Sequence, residues 1–305
     1  MPKKDFISLK FLDPQEIEEI FALTARLKKD KDSFSRALDK KSIALIFQKP
    51  SCRTRVSFQV GIEQLGGFSV YLGPQEVNLG VRETAADVAM TLSRYVDGIV
   101  ARTFAHEHIL DLAKYASIPV INGLSDLLHP CQAMADLFSL QERLGKLKGL
   151  NLAYVGDGNN VCNSLIYGAS LTGLNLRVAA PKGYEPDKQV LKESQAFAKQ
   201  SGSIIGLFGG PQEAVKDADV IYTDVWASMG QEKDAAKRKK AFKGFQVNSK
   251  LVSLAKKNCL IMHCLPAHRG QEITDEVIDS KNSIVFDQAE NRLHVQKAIL
   301  IKLFE

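Results

Sequence analysis

The sequence predicts an α/β protein of two doubly wound parallel-sheet domains, with a C-terminal helix that packs back on the first. Three observations predict it. Short β-branched runs alternate with helical patterns along nearly the whole chain, which is how parallel sheets covered on both faces read in sequence. The alternation pauses at "GKLKGLN" (145–151) and then restarts. The length of 305 residues is also long for a single core, so two domains of ordinary size are expected. The division expected is 1–136 and 137–289, with 290–305 returning to the first domain.

The elements follow in order. "DPQEIEEIFALTARLKKDK" (13–31) is a marked helix: Asp13 can cap it, Pro14 suits its first turn, and Ile17, Ile20, Phe21 and Leu27 share one face. Strands are expected at 43–47 ("IALIF"), 68–72 ("FSVYL"), 97–101 ("DGIVA") and 118–121 ("IPVI"), with helices at 53–65, 84–95, 106–116 and 131–144. After the pause, strands are expected at 150–155, 175–180, 203–208, 219–223, 260–264 and, from "SIVF", 283–286. The closing "NRLHVQKAILIKLF" (291–304) reads as an amphipathic helix.

Composition narrows the class. Hydrophobic residues at 45% and charged residues at 25% match an ordinary globular protein. The net charge of +5 is a mild excess, and the densest basic run, "KDAAKRKKAFKG" (233–244), lacks an interleaved aromatic platform. It reads as a solvated face rather than a nucleic-acid surface. No apolar stretch approaches the roughly 20 residues that span a bilayer, and "MPKKDFISLKFLDPQE" carries no apolar leader. Five cysteines, an odd number without framework spacing, suit a reducing compartment. A cytoplasmic protein without membrane or nucleic-acid partners is expected.

In open α/β sheets, ligands bind beyond the carboxyl ends of strands. Six polar motifs fall on such ends here: "SCRTR" (51–55), Arg102-Thr103, "HPCQ" (129–132), "GDGNN" (156–160), "DVWASMG" (224–230) and "HCLPAHRG" (263–270). The residues before a helix offer free N–H groups and the positive end of its dipole, an anion site. Ser51 and Thr54 add hydroxyls, and Arg53 adds a fork suited to phosphate oxygens. A plain N-cap flanked by two exposed arginines is the alternative.

"GDGNNV" invites a dinucleotide reading. That fingerprint needs a glycine where Val161 stands and an acidic residue at the end of the next strand, which reads "VAAPKG". Nicotinamide binding is set aside, and Asn160 instead presents an amide to a small ligand. Asp224 can hold an ammonium group or close an Asx-turn. Neither His263, Cys264 and His268 nor His129 with Cys131 has the paired ligand spacing of a zinc site. No metal and no cofactor are expected.

Together "FQKPSCRTRVSFQVGIEQLGG" (47–67), "HPCQAMADL" (129–137), "DVWASMGQE" (224–232) and "HCLPAHRG" (263–270) resemble the ornithine carbamoyltransferases. The likeness extends to the spacing and to "ENRLHVQKA" (290–298). The first two motifs are shared with aspartate carbamoyltransferases, and the last two resemble the ornithine branch. The resemblance implies transfer of a carbamoyl group from carbamoyl phosphate to the δ-amine of L-ornithine, giving L-citrulline and phosphate in arginine metabolism, whether its biosynthesis or its breakdown. It implies that Ser51, Cys52, Arg53 and Thr54 cradle the phosphate, and that Arg102, His129 and Gln132 contact the carbamoyl end. By the same resemblance Asn160, Asp224, Ser228 and Met229 hold ornithine, Cys264 and Leu265 border the reacting centre, and Arg292 reaches carbamoyl phosphate. Arg102, His129, Cys264 and Arg53 are the catalytic set it implies. It further implies a homotrimer or a multiple of trimers.

Two positions depart from the family pattern. Cys52 stands where relatives usually carry Thr, a change with little consequence if only its backbone N–H is used. Asn78, in "EVNLGVRET" (76–84), stands where many relatives have Gln or His reaching a neighbouring subunit's phosphate. Other readings are a paralogue using putrescine or an acylated ornithine, and a catalytically silent relative. The presence of Arg53, Arg102, His129 and Cys264 speaks against the last.

Overall fold

The computed structural model describes residues 4–30, 32–227 and 234–305. The chain divides into two compact units, Met1–Phe138 with Glu290–Glu305, and Ser139–Ala289. Among the described residues, no helix is long and apolar enough to cross a membrane.

The first unit begins with helix α1 (Pro14–Lys29). Asp13 and Glu16 form a reciprocal capping box around Pro14, a cap worth about 0.5–2 kcal/mol. Its apolar face buries Ile17, Ile20, Phe21 and Leu27. There follow β1 (Ser42–Phe47), α2 (Cys52–Gln64), β2 (Phe68–Leu72), α3 (Ala85–Leu92), β3 (Gly98–Arg102), α4 (His106–Tyr115), β4 (Val120–Leu124) and α5 (Pro130–Leu144). All pairings are parallel and the strand order is β2-β1-β3-β4. The order reverses between β1 and β3, so the loops leaving these two strands diverge there. Register pairs Phe47 with Arg102, which sets the start of α2 beside the end of β3.

The second unit holds β5 (Asn151–Val155), α6 (Asn160–Thr172), β6 (Asn175–Ala179), α7 (Lys188–Ser201), β7 (Ile205–Phe208), α8 (Pro211–Val215) and β8 (Val220–Thr223). After these come α9 (Ala235–Ala241), α10 (Ser249–Val252), β9 (Leu260–His263), α11 (Asp275–Ile278) and α12 (Val285–Phe304), whose residues from Glu290 onward belong to the first unit. The order is β7-β6-β5-β8-β9, again parallel, with its reversal between β5 and β8. Val155 pairs with Thr223, and Thr223 with His263. The residues after β5, β8 and β9 therefore emerge side by side.

One expected strand is absent. "SIVF" contributes a single bridge, Ser283 to Ile261, and Val285 already opens α12. A four-residue apolar run has no period to separate strand from buried helix. The C-terminal part of α12 packs on the first unit, as expected: Asn291 accepts from Lys28, Lys297 donates to Gln64, and Lys302 pairs with Glu19.

Gly158 has a steric task. A Cβ there would lie 2.2 Å from the Pro186 nitrogen and 2.4 Å from the Glu185 carbonyl carbon. Its N–H donates to the Tyr184 carbonyl at 2.8 Å, so the 184–186 backbone lies directly against the turn.

Candidate active site

Each unit carries one polar cluster at its switch point. In the first, Ser51 caps α2, its hydroxyl accepting from Thr54 N–H at 3.3 Å. Cys52 is the first helical residue and is exposed, Arg53 is half-buried, and Thr54 is buried. The Thr54 hydroxyl accepts from Arg292 Nη2 at 3.2 Å and, more weakly, from Arg102 Nη1 at 3.5 Å. With both lone pairs engaged, its proton is the group left to donate. Arg292 Nη1 also donates to Gln132 Oε1, and Gln132 Nε2 donates to Asp136 at 2.8 Å.

The electrostatics of this cluster are those of an anion site. Burial, then the charges of Arg292 and Arg53, pull Arg102 down to about 10, still cationic at neutral pH. Arg102 Nε is buried and has no hydrogen-bond partner among the described residues. His129, directly before α5, is held well below the ordinary imidazole range by burial, with Arg292 and Arg102 adding to the effect. It is therefore neutral and can donate a hydrogen bond without adding charge. Arg55 faces elsewhere, its guanidinium 3.6 Å from the Tyr71 ring centroid and bonded to Gln59. Asn78 is exposed with φ +40°, a left-handed conformation that Asn tolerates.

In the second unit, Asp224 leaves β8 and is buried. Its Oδ2 accepts from Asn159 Nδ2 at 2.7 Å, and its Oδ1 from Val225 N–H at 2.8 Å and from the Cys264 thiol at 3.0 Å. Asn159 also caps α6, accepting from Val161 and Cys162 N–H. Asn160 begins the helix itself. Leu265 has φ +57°, a strained state for a branched side chain costing about 1–3 kcal/mol. It is held there because its N–H donates to His263 Nδ1 at 2.9 Å. That bond leaves the ring proton on Nε2, which faces Glu272 at 3.2 Å, and Glu272 also accepts from His268 N–H. Ser228 and Met229 lie outside the described residues.

The donor atoms of Asp224, His263 and Cys264 lie within 4.8 Å of one another, a grouping of metal-ligand type. Both His263 nitrogens are already committed, to Leu265 N–H and to Glu272, while Cys264 bonds Asp224 directly.

Sequence reasoning missed several residues of these clusters. Asn159 rather than its neighbour Asn160 bonds Asp224, a distinction readable from its N-cap position. Asp136 and Glu272 are buried carboxylates whose partners are set by the fold. The basic run is exposed along most of α9, yet Arg238 turns inward. It donates at 2.8 Å to both Asp157 and the Trp226 carbonyl, and stacks over Tyr184. Burial pushes Asp157 up to about 6 against the pull of Arg238, with the charge of Asp224 adding to the rise.

Comparison with known proteins joins the two clusters to one family. Residues 4–142 match the model of the aspartate/ornithine carbamoyltransferase carbamoyl-P binding domain, and residues 148–303 that of the Asp/Orn binding domain. An ornithine carbamoyltransferase of Thermococcus kodakarensis is 55% identical over 300 residues, covering 97% of this chain and 95% of that protein. The solved ornithine carbamoyltransferase from Pyrococcus furiosus is 53% identical with a TM-score of 0.95, covering 98% of this chain and 96% of its own. A solved acetylornithine transcarbamylase complexed with acetylcitrulline is 31% identical with a TM-score of 0.88, covering 98% and 99%. The chain belongs to the aspartate/ornithine carbamoyltransferase family.

Proposed function

We propose that the protein is an ornithine carbamoyltransferase, transferring the carbamoyl group of carbamoyl phosphate to the δ-amine of L-ornithine by direct amine attack. The observation that carries this is the Thr54 hydroxyl, set in the first turn of α2 and taken by both Arg102 and Arg292. A helix N-terminus ringed by Arg53, Arg102 and Arg292 suits a phosphorylated substrate.

As the amine nitrogen bonds to the carbamoyl carbon, negative charge grows on the carbonyl oxygen. It moves to the bridging oxygen as the carbon–oxygen bond to phosphate breaks, and the departing phosphate can take the proton that the amine nitrogen gives up. Arg102, neutral His129 and Thr54 are donors suited to the carbonyl oxygen, while Arg53 and the α2 N–H groups, with Ser51 and Cys52, suit the departing phosphate. Donors placed where charge develops stabilise the transition state more than the ground state. An alkyl amine has a pKa near ~10.4, so the site must take up or generate its neutral form. Desolvation and the nearby arginine charges favour that form.

Asp224 is the group for the α-ammonium of ornithine, with Asn160, Ser228 and Met229 completing its recognition. Cys264, whose thiol donates to Asp224, orients the amine, and Leu265 borders the reacting centre. No covalent carbamoyl–Cys264 stage is needed, since phosphate is already a good leaving group.

The assembly proposed is a homotrimer or a multiple of trimers. Asn78 is then a residue for the neighbouring subunit's phosphate. The compartment proposed is the cytoplasm, consistent with five free thiols.

Formation of the carbamoylated product with a panel of amines tests the reading. Turnover with L-ornithine, and little with putrescine or N-acetylornithine, is expected. Turnover with either of those and none with ornithine overturns it.

A further inference from the structure

The Gln132 amide is fixed from both ends. Its Nε2 donates to Asp136 Oδ1 at 2.8 Å and its Oε1 accepts from Arg292 Nη1. A carboxylate can only accept and a guanidinium can only donate, so the reversed amide would face acceptor with acceptor and donor with donor. Gln132 is 1% exposed and Asp136 0%. An i,i+4 pair on a helix surface merely supports the helix. A carboxylate this deep is costly to bury unless hydrogen bonds compensate it, and Gln132 supplies one of them.

The consequence lies in what the arginines cannot do. Arg53, Arg102 and Arg292 only donate, whereas the NH₂ of a carbamoyl group is itself a donor and needs an acceptor. Gln132 Oε1 keeps a second lone pair after accepting from Arg292. We propose that Asp136 is a positioning residue for carbamoyl recognition: it locks the Gln132 amide so that a carbonyl oxygen, not an NH₂, is offered to the carbamoyl nitrogen. Asp136 thereby favours carbamoyl phosphate over acyl phosphates that lack the amide. The inference rests on carbamoyl phosphate being the substrate. Citrulline formation by the wild-type enzyme tests that point separately.

The test compares two affinities that a structural lesion would move together. Inorganic phosphate should engage the α2 cradle without Gln132, so its inhibition constant reports the cradle alone. In Asp136→Ala, the KM for carbamoyl phosphate should rise about tenfold or more, the effect of losing a hydrogen bond to a charged group. The phosphate inhibition constant should stay within about twofold, since the cradle's own donors are untouched. Asp136→Asn, whose carbonyl still accepts, should recover most of the loss. Should the alanine variant fail to fold, an exchange of roles decides. Gln132→Glu alone sets two carboxylates together and should raise the KM, and Gln132→Glu with Asp136→Asn should bring it back. An unchanged KM in Asp136→Ala overturns the inference, as does a parallel rise in the phosphate constant. In the exchange, failure of the double variant to improve on Gln132→Glu does so too.

Discussion

The thiol of Cys264 donates to Asp224 at 3.0 Å, although 40 residues separate them. The contact follows from register: Thr223 pairs with His263 across β8 and β9, so the next residue on each strand emerges beside the other. A carboxyl group gripped by Asn159 on one side and a thiol on the other is fixed in place. That pairing underlies the first two expectations.

Asp224→Asn should raise the KM for ornithine by roughly 10–100-fold, the range for losing hydrogen bonds to a charged group. Carbamoyl phosphate affinity should be nearly unchanged, because its proposed ligands lie in the other unit. Steady-state kinetics with each substrate varied in turn checks this; a loss confined to carbamoyl phosphate contradicts the assignment.

Cys264→Ser keeps a donor for Asp224 and should retain measurable turnover with a weakened grip on ornithine. Mass spectrometry of the native enzyme quenched during turnover should show no carbamoyl adduct on Cys264. A trapped thioester would replace direct attack with a two-step route.

Arg102→Ala should lower kcat by about 10²–10³, the usual effect of removing one donor from a developing oxyanion. Phosphate inhibition should persist, since Arg53 and the α2 N–H groups remain. Near-normal turnover would take Arg102 out of the carbonyl site.

His129 gives a pH expectation. Its folded-state pKa is depressed by burial and by Arg292 and Arg102, so below the unfolded value near ~6.5 the unfolded chain binds a proton that the native state refuses. Stability contributed by this group is present above pH ~6.5 and is lost as pH falls toward the folded pKa. Relative to His129→Gln, the native enzyme should lose about 1.4 kcal/mol more per pH unit across that window. Urea denaturation of both proteins at pH 7 and pH 5.5 measures the difference.

Much of this architecture is legible in the sequence because β-branched runs and helical periods alternate, and because polar motifs sit at strand ends. Arg53, Arg102, His129, Asp224 and Cys264 are each singled out that way. Residues that act on other residues are harder to see. Asp136 looks like any helical acid until its partner Gln132 is seen tied to Arg292, and Glu272 reaches His263 only once the chain between them has folded. Arg238 sits in a run whose other described cations, Lys237, Lys239, Lys240 and Lys243, are exposed, so charge density alone points the wrong way. "SIVF" fails for a different reason: β propensity is a local average, and here α12 claims the residues from Val285 onward.

The Gly158 turn has a consequence for redesign. The G-x-G of "GDGNN" looks like a nucleotide fingerprint, but its second glycine admits the protein's own 184–186 backbone. The space that a pyrophosphate would need above this turn is taken by peptide. Restoring the missing glycine at 161 and adding an acid after β6 would therefore not create a coenzyme pocket on this scaffold. An engineer would have to reroute the chain between β6 and α7 first, which makes the unit resistant to acquiring redox chemistry through point substitutions.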